Sequence, residues 1–130
     1  MKPIPTERQV QRAILDMAGI CFPGVLIHHS PNGAHLAGEE GARFRQVGAL
    51  KGDGMKIGWP DLMCVWNHGT AYIEVKRPGS ASRITPDQAK IHAELAECGY
   101  PVAVVTSPEE AFLFLRGRGA PVKVQWRVVA

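Results

Sequence analysis

Two short apolar runs separated by a turn-forming tetrapeptide constrain the fold of this chain more than any other feature. Residues 61–66 are DLMCVW, residues 71–76 are AYIEVK, and the Asn-His-Gly-Thr between them has the composition of a hairpin turn. Short runs that carry branched and aromatic residues are typical of strands. We therefore predict an antiparallel β-hairpin, around which the rest of the chain is arranged.

The segment after this hairpin predicts a helix, a strand and a second helix, in that order. Residues 85–88, Thr-Pro-Asp-Gln, combine an N-cap, a first-turn proline and a capping glutamine, and Gly99 is a stop signal. Residues 102–106 are typical of a buried strand, and residues 107–116 are typical of another capped helix. Because a helix joins the hairpin to the next strand, that strand can pair in parallel.

The two ends of the chain predict three further elements. A capping box at Thr6 and Gln9 begins a helix over about residues 7–18, and residues 25–29 form a short strand after a Pro-Gly turn. At the other end, residues 122–129 alternate apolar and polar side chains as in a half-buried strand.

Residues 30–58 separate the first strand from the hairpin and are polar with seven glycines. Only residues 43–47 look at all strand-like, so we expect a loop that is mobile or becomes ordered on binding substrate.

These elements predict one domain spanning residues 1–130, an α/β fold with a mixed β-sheet flanked by helices. The three cysteines form no CxxC pair and suggest neither a disulfide framework nor a cysteine-rich zinc site. The N-terminus lacks a signal-peptide apolar core, and no apolar run is long enough to cross a bilayer. We expect a soluble cytoplasmic protein without membrane contact.

Charge is distributed unevenly although the net charge is only +3. Residues 43–90 hold eight Lys or Arg against four acids, so the surface of this segment is basic if some of the acids bind a metal. Such a surface suits phosphates, and a solvated charged surface is the alternative interpretation. The expected nucleic-acid contacts are basic side chains in the glycine-rich segment and one beside the hairpin: Arg43, Arg45, Lys51, Lys56 and Arg77.

Three charged side chains of the hairpin are expected to converge on one face. Side chains two residues apart on a strand share a face, so Glu74 and Lys76 project together. A two- or four-residue turn would set Asp61 opposite Lys76 and Met63 opposite Glu74, which brings Asp61 to the same face. The alternative is a charged stripe that faces solvent on an alternating strand.

Two converging carboxylates repel each other unless a cation lies between them. Hard oxygen ligands of this kind suit Mg²⁺ or Mn²⁺, and such an ion could polarise a phosphodiester. Lys76 would then hold or help deprotonate the attacking water and offset the charge of the phosphate. The residues therefore predict metal-assisted phosphodiester hydrolysis.

The order of three short motifs gives the sequence a family resemblance. Gly-Trp-Pro-Asp at 58–61, Ile-Glu-Val-Lys at 73–76 and Thr-Pro-Asp-Gln at 85–88 resemble the virus-type replication-repair nuclease (VRR-NUC) domain of the PD-(D/E)xK superfamily. The resemblance runs from the first helix to the strand ending near Thr106. It implies a restriction-endonuclease-like core, a divalent metal and DNA cleavage. Asn32-Gly33 resembles the small polar turn before the family's glycine-rich loop.

The resemblance also assigns roles to individual residues. Asp61, Glu74 and Lys76 match the family's catalytic motif, with Gln88 as an accessory polar residue. The expected metal ligands are two side chains of that motif, the residue between its acid and its lysine, and an acid on the first helix: Asp61, Glu74, Val75 and Glu7. From the residues alone, Glu7 could equally be an acid favoured by the helix dipole, and Gln88 could only complete its capping box.

Stand-alone members of the resembled family imply an endonuclease for branched or structured DNA, including Holliday junctions, that acts as a homodimer. Two other functions stay open: a non-catalytic DNA-binding or inhibitory module of the same fold, and a nuclease directed at RNA. His28, His29 and His35 near Cys21 fit no standard zinc spacing. Residues 52–56 are not a P-loop, so we expect no nucleotide cofactor.

Overall fold

The computed structural model describes residues 2–31, 40–81 and 83–126. Within these residues the chain forms four helices and four strands. In chain order they are α1 (Glu7–Cys21), β1 (Leu26–His29), α2 (Glu40–Gly52), β2 (Leu62–Trp66), β3 (Gly69–Val75), α3 (Pro86–Glu97), β4 (Val102–Val105) and α4 (Pro108–Gly117). None of these helices is both long enough and apolar enough to span a bilayer.

The four strands form one mixed sheet in the order β1-β2-β3-β4. β1 pairs with β2 and β2 with β3 in antiparallel fashion, whereas β4 lies parallel to β3 after the α3 crossover. A two-residue turn permits only antiparallel pairing, and a helical crossover permits the parallel arrangement. The predicted α/β fold, a restriction-endonuclease-like mixed sheet flanked by helices, is confirmed.

The register of the hairpin differs from the predicted one by two residues. Trp66 pairs with Gly69 and Met63 with Tyr72, so the turn contains only Asn67 and His68, the latter in a left-handed conformation with φ 67°. The predicted pairing of Met63 with Glu74 is therefore wrong. The Trp66 indole packs over Gly69, where a Cβ would overlap the ring, so this position requires glycine.

Helices cover both faces of the sheet. On one face, α1 and α4 pack over the inward residues of the strands, and the large fully buried side chains of this layer include Ile14, Met17, Leu62, Ile73, Phe112 and Leu115. Full burial of one such side chain contributes about 1.5–3 kcal/mol, so this layer supplies most of the hydrophobic stabilisation. On the other face, α3 packs through a smaller cluster, Tyr72, Ile91 and Leu95.

The expectation of a loop through residues 30–58 is wrong for its described second half, which forms α2, and no strand occurs at residues 43–47. Alanine, arginine, glutamine and leucine in this stretch are good helix formers and outweigh its interspersed glycines. The Asn32-Gly33 turn and His35 lie outside the described residues.

The strand predicted over residues 122–129 is also wrong for the part that the structure describes, residues 122–126. This segment crosses the end of α1, where the Lys123 N–H donates to the Cys21 carbonyl at 2.8 Å. Val122 and Trp126 pack against the core, whereas Val124 is 45% exposed. The three therefore do not share one face, and the alternation in sequence does not correspond to sheet pairing.

Candidate active site

The hairpin brings Asp61 and Glu74 together. Leu62 pairs with Ile73, so Asp61, the residue just before β2, lies beside Glu74 and not opposite Lys76 as predicted. Because the shift is by two residues, all three side chains keep the common face that the sequence predicts. The Asp61 carboxylate accepts a hydrogen bond from the Val75 N–H at 2.7 Å.

Glu74 is the most electrostatically constrained group of the site. Its side chain is 2% exposed. Burial, followed by the hydrogen bond and the charge of Asp61, raises the pKa of Glu74 to about 9; the charge of Glu7 adds to the rise and that of Lys76 opposes it. Desolvation and neighbouring like charge both disfavour the carboxylate form. Without a cation the pair therefore holds a proton at neutral pH.

Lys76 lies against Glu74 and is buried with it. Its Nζ is 4.0 Å from Glu74 Oε2, and the lysine side chain is 10% exposed. The backbone N–H of Lys76 donates to the Val105 carbonyl of β4, which fixes the end of β3 in the sheet. Burial of both side chains is inconsistent with the alternative interpretation of Glu74 and Lys76 as a solvent-facing stripe.

Gln88 of α3 connects the acid to the lysine. Its Nε2 donates to Glu74 Oε2 at 3.4 Å, and its Oε1 accepts from Lys76 Nζ at 3.2 Å. The same Oε1 accepts from the backbone N–H of Thr85 at 3.0 Å, which is one half of a complete capping box. One side chain thus makes both the capping contacts and the contacts with Glu74 and Lys76, so the two interpretations of Gln88 do not exclude each other.

A close backbone contact holds α3 over the strand ends. Gly58 has φ +87°, and a Cβ at this position would lie 2.5 Å from the backbone carbonyl atoms of Asp87 and 2.6 Å from the Gln88 nitrogen. Only glycine accepts both the positive φ and this approach. The glycine of the Gly-Trp-Pro-Asp motif therefore brings the first turn of α3, with Gln88, to the segment that leads into Asp61.

His92 is a site neighbour that the sequence interpretation missed. Its Nε2 lies 3.6 Å from Glu74 Oε1, and neither atom has a hydrogen-bond partner among the described residues. Burial and then the charge of Lys76 lower the pKa of His92 against a smaller opposing effect of Asp61, so the imidazole is neutral at neutral pH. The available signal was its spacing: His92 follows Gln88 by four residues and therefore lies on the same side of α3.

A cleft of about 520 Å³ gives access to Asp61 from the α1 side. Its walls include Glu7 and two arginines one helical turn apart that were not predicted, Arg8 and Arg12. His29 also lines the cleft, and its Nδ1 lies 3.2 Å from the Asp61 carbonyl oxygen. The cleft is therefore lined by cationic groups of α1 as well as by carboxylates.

The predicted basic contacts are divided between two places. Lys51 and Lys56 line a smaller cavity of about 230 Å³ together with Lys90 of α3, and Arg45 is exposed on α2. Arg77 donates from Nη2 to the Ile4 carbonyl at 3.5 Å, at the N-terminal segment. The side chain of Arg43 lies outside the described part of the structure.

The donor set fits a small hard cation. Among the described residues no three His, Cys, Asp or Glu side chains group closely enough to hold an ion. Mg²⁺ typically takes only one or two carboxylates and keeps several waters, so Asp61 and Glu74 are sufficient. Glu74 Oε1 has no partner among the described atoms, and the repulsion that raises the Glu74 pKa is what a cation would relieve.

The Val75 carbonyl is in position to be a third ligand. The N–H and C=O of one extended residue point to the same side of a strand, and the Val75 N–H points at Asp61. Val75 also lines the same cleft as Asp61 and Glu7. An ion held by so few protein oxygens would keep water ligands that a substrate could replace.

The mixed sheet, its flanking helices and the buried acid-lysine strand beside a second carboxylate define an α/β protein of restriction-endonuclease-like fold. The sequence model of the VRR-NUC domain matches residues 7–109, most of the chain, and the chain therefore belongs to the VRR-NUC domain family. This is a family of nuclease domains, which generally use divalent metals and act on nucleic acid. The curated proteins contain no match to the chain.

Proposed function

We propose that the protein is a divalent-metal-dependent endonuclease that hydrolyses phosphodiester bonds in DNA at Asp61, Glu74 and Lys76. One observation carries this proposal: Asp61 lies beside Glu74 across the hairpin and raises its pKa, and a buried lysine lies 4.0 Å from the Glu74 carboxylate. Nothing in the folding of a small domain requires such a costly group of charges. A phosphodiesterase site does require it, because acids must hold a cation beside a group that positions or deprotonates the attacking water.

Each residue of the site has a distinct role in this proposal. Asp61 and Glu74 hold Mg²⁺ or Mn²⁺, with the Val75 carbonyl as a third ligand and Glu7 reaching the ion directly or through water. When bound, the ion supplies the Lewis acidity that polarises the phosphodiester.

Lys76 holds the attacking water or helps to deprotonate it, and its charge compensates the phosphate oxygens as the bond breaks. Gln88 keeps the Lys76 ammonium in place, since its Oε1 accepts from Nζ at 3.2 Å. A buried lysine with one fixed acceptor keeps its other protons available to water and phosphate. The position of Gln88 therefore makes it an accessory residue of catalysis.

The cleft supports a nucleic acid as substrate. Arg8 and Arg12 of α1 line the same cleft as Asp61, so a phosphate backbone could contact cations while its scissile group lies near the carboxylates. Lys51, Lys56, Arg45 and Arg77 extend the basic surface on either side of the site. We include Arg43, whose side chain is not described, in this surface on the basis of sequence.

We further propose branched or structured DNA, including Holliday junctions, as the substrate and a homodimer as the active form. The described domain carries this site once, so cutting two strands of a junction symmetrically requires two copies. Sedimentation at micromolar concentration tests the dimer, and a panel of synthetic junctions, flaps, nicked duplexes and linear duplexes tests the substrate.

The test of the proposed function removes each metal carboxylate in turn. Asp61→Ala and Glu74→Ala should abolish cleavage in Mg²⁺ or Mn²⁺ and leave DNA binding intact or tighter, because negative charge is lost while the basic surface stays. Glu97→Ala, an exposed acid at the end of α3, is the matched control and should cleave normally.

Three results would contradict the proposal. Cleavage by either site variant at the wild-type rate would remove the proposed site. Tight DNA binding by the wild-type protein without cleavage of any substrate would favour the non-catalytic module. Preferential cleavage of RNA in competition with DNA of the same sequence would favour the RNA-directed nuclease.

A further inference from the structure

Two buried polar atoms without hydrogen-bond partners face each other in the described part of the chain. They are Glu74 Oε1 and His92 Nε2, separated by 3.6 Å. A buried polar group without a partner is costly, and two such groups side by side indicate a contact that closes in another state of the site. A movement of a few tenths of an ångström would bring them within hydrogen-bond distance.

The helix geometry directs His92 at this one oxygen. Gln88 and His92 are four residues apart on α3, so their side chains lie on successive turns of one face. Gln88 contacts Glu74 Oε2 at 3.4 Å, and His92 approaches Oε1 at 3.6 Å. Gln88 and His92 thus each approach a different oxygen of the Glu74 carboxylate. Asp61 approaches the same carboxylate from the position just before β2.

We infer that His92 is a positioning residue: its Nε2–H donates to Glu74 Oε1 and fixes the orientation in which the carboxylate holds the metal. The inference rests on the proposed function, because it assigns to Glu74 the role of a metal ligand. A neutral imidazole carries one N–H, and placing it on Nε2 satisfies both atoms that otherwise lack partners. Hydrogen-bond partners of this kind orient ligating carboxylates, and their loss typically costs 10–100-fold in metal affinity or activity.

The test compares two substitutions that differ in one N–H. Leucine at His92 keeps an apolar side chain in the same space but cannot donate, whereas the terminal amide of glutamine can supply an N–H near the position of Nε2. The affinity for Mn²⁺ is measured by calorimetry without DNA, and single-turnover cleavage and the Kd for DNA are measured in parallel.

We expect His92→Leu to weaken Mn²⁺ binding and slow cleavage by about 10–100-fold with an unchanged Kd for DNA. His92→Gln should recover most of both losses. A leucine variant equal to wild type would show that His92 only packs. A glutamine variant as weak as the leucine variant would show that the N–H is not what matters, and either result overturns the inference.

A measurement on the unmodified side chain covers the case in which the leucine variant does not fold. Nitrogen NMR of the wild-type imidazole in saturating Mg²⁺, which keeps Glu74 deprotonated, should show the proton on Nε2, and Glu74→Gln should shift that resonance. A proton on Nδ1 instead would overturn the inference.

The same experiments separate this inference from the proposed function. If the wild-type protein binds Mn²⁺ with the expected His92 dependence but cuts no nucleic acid, the proposed function fails and the positioning role stands. If the wild-type protein cuts and all three proteins bind Mn²⁺ alike, the positioning role fails and the function stands. Absence of both binding and cleavage in the wild-type protein would overturn both.

Discussion

Gln88 belongs to two structures at once, a helix cap and the proposed active site, and two substitutions can separate them. Thr85→Ala removes the hydroxyl that accepts from the Gln88 N–H but leaves the Gln88 side chain bonded to Glu74 and Lys76. Losing this cap should cost about 1 kcal/mol of stability with little change in cleavage rate.

Gln88→Ala should destabilise the protein by a similar amount and, in addition, slow cleavage, because Lys76 loses its acceptor. Chemical denaturation and single-turnover kinetics on both variants check this. Equal cleavage rates for Thr85→Ala and Gln88→Ala would show that Gln88 acts only as a capping residue.

The raised pKa of Glu74 predicts a pH dependence of stability in the metal-free protein. The folded state holds the Glu74 proton up to about pH 9, whereas the unfolded chain releases it near the ordinary glutamate pKa of 4.5. The folded state therefore binds more protons between these values, and its stability falls as the pH rises through this window.

Glu74→Gln removes this dependence, so in EDTA the variant should become increasingly more stable than wild type between about pH 5 and pH 9. Urea denaturation across this range measures the difference between the two proteins. A constant difference at all pH values would mean that the pKa of Glu74 is not raised. Saturating Mn²⁺ should stabilise wild type and reduce the gap.

At the scale of single residues, the sequence predicted the site better than its surroundings. A register shift by an even number of residues leaves Asp61, Glu74 and Lys76 on one face, because side chains in strands alternate with a period of two. Their mutual distances depended on the hairpin register, and the predicted register differed from the observed one by two residues. His92 was missed because its role requires knowing which face of α3 packs on β3, and that is set by tertiary contacts.

The contact between Gly58 and α3 predicts that a single methyl group is disruptive there. In Gly58→Ala the new Cβ would meet the backbone of Asp87 and Gln88 at a positive φ, so α3 must move. We expect a loss of about 2 kcal/mol or more and slower cleavage, since Gln88 moves with α3.

Gly54→Ala is the matched control for this prediction. Gly54 also has positive φ, +106°, but a Cβ there meets nothing within 4 Å. Gly54→Ala should therefore lose only the stability that the positive φ costs an alanine, and it should cleave normally. Thermal unfolding and cleavage rates of both variants check the prediction, and indistinguishable behaviour of the pair would mean that the close approach has no consequence.

The lysines at the end of α2 are predicted to contribute phosphate contacts. Lys51→Ala/Lys56→Ala should make the slope of log affinity against log salt shallower by roughly one to two units, at about 0.9 for each lost contact on duplex DNA. Arg116→Ala/Lys123→Ala removes the same charge from exposed positions on α4 and after it. If only this control pair changed the slope, the DNA surface would lie on the α4 side of the domain.

At the scale of elements, local signals decided which predictions held. The capping box at Thr85, the first-turn proline and the hairpin turn act through neighbouring residues, and the elements that they define are confirmed. α2 was missed because glycine content was taken as a loop signal. The alternation after residue 121 predicted a strand, but pairing depends on a free neighbouring strand and not on alternation alone.

For the whole molecule, connection lengths were enough to predict the sheet type. A two-residue turn forces β2 and β3 to be antiparallel, and a 12-residue helix between β3 and β4 permits them to be parallel. The sequence did not predict that α1 and α4 share one face while α3 occupies the other. That division follows from which apolar stripes fit together, and it is what buries Glu74 and Lys76 beneath α3.

Lys76→Met tests the central claim, that this buried group of charges performs catalysis, most directly. Asp61 and Glu74 remain, so calorimetry should still detect Mn²⁺ binding. Single-turnover cleavage should fall by about two to four powers of ten, the usual weight of a positioned acid-base or electrostatic group. A Lys76→Met protein that binds the ion and cleaves DNA at a rate close to wild type would contradict the account, because the Glu-Val-Lys strand would then have no catalytic role.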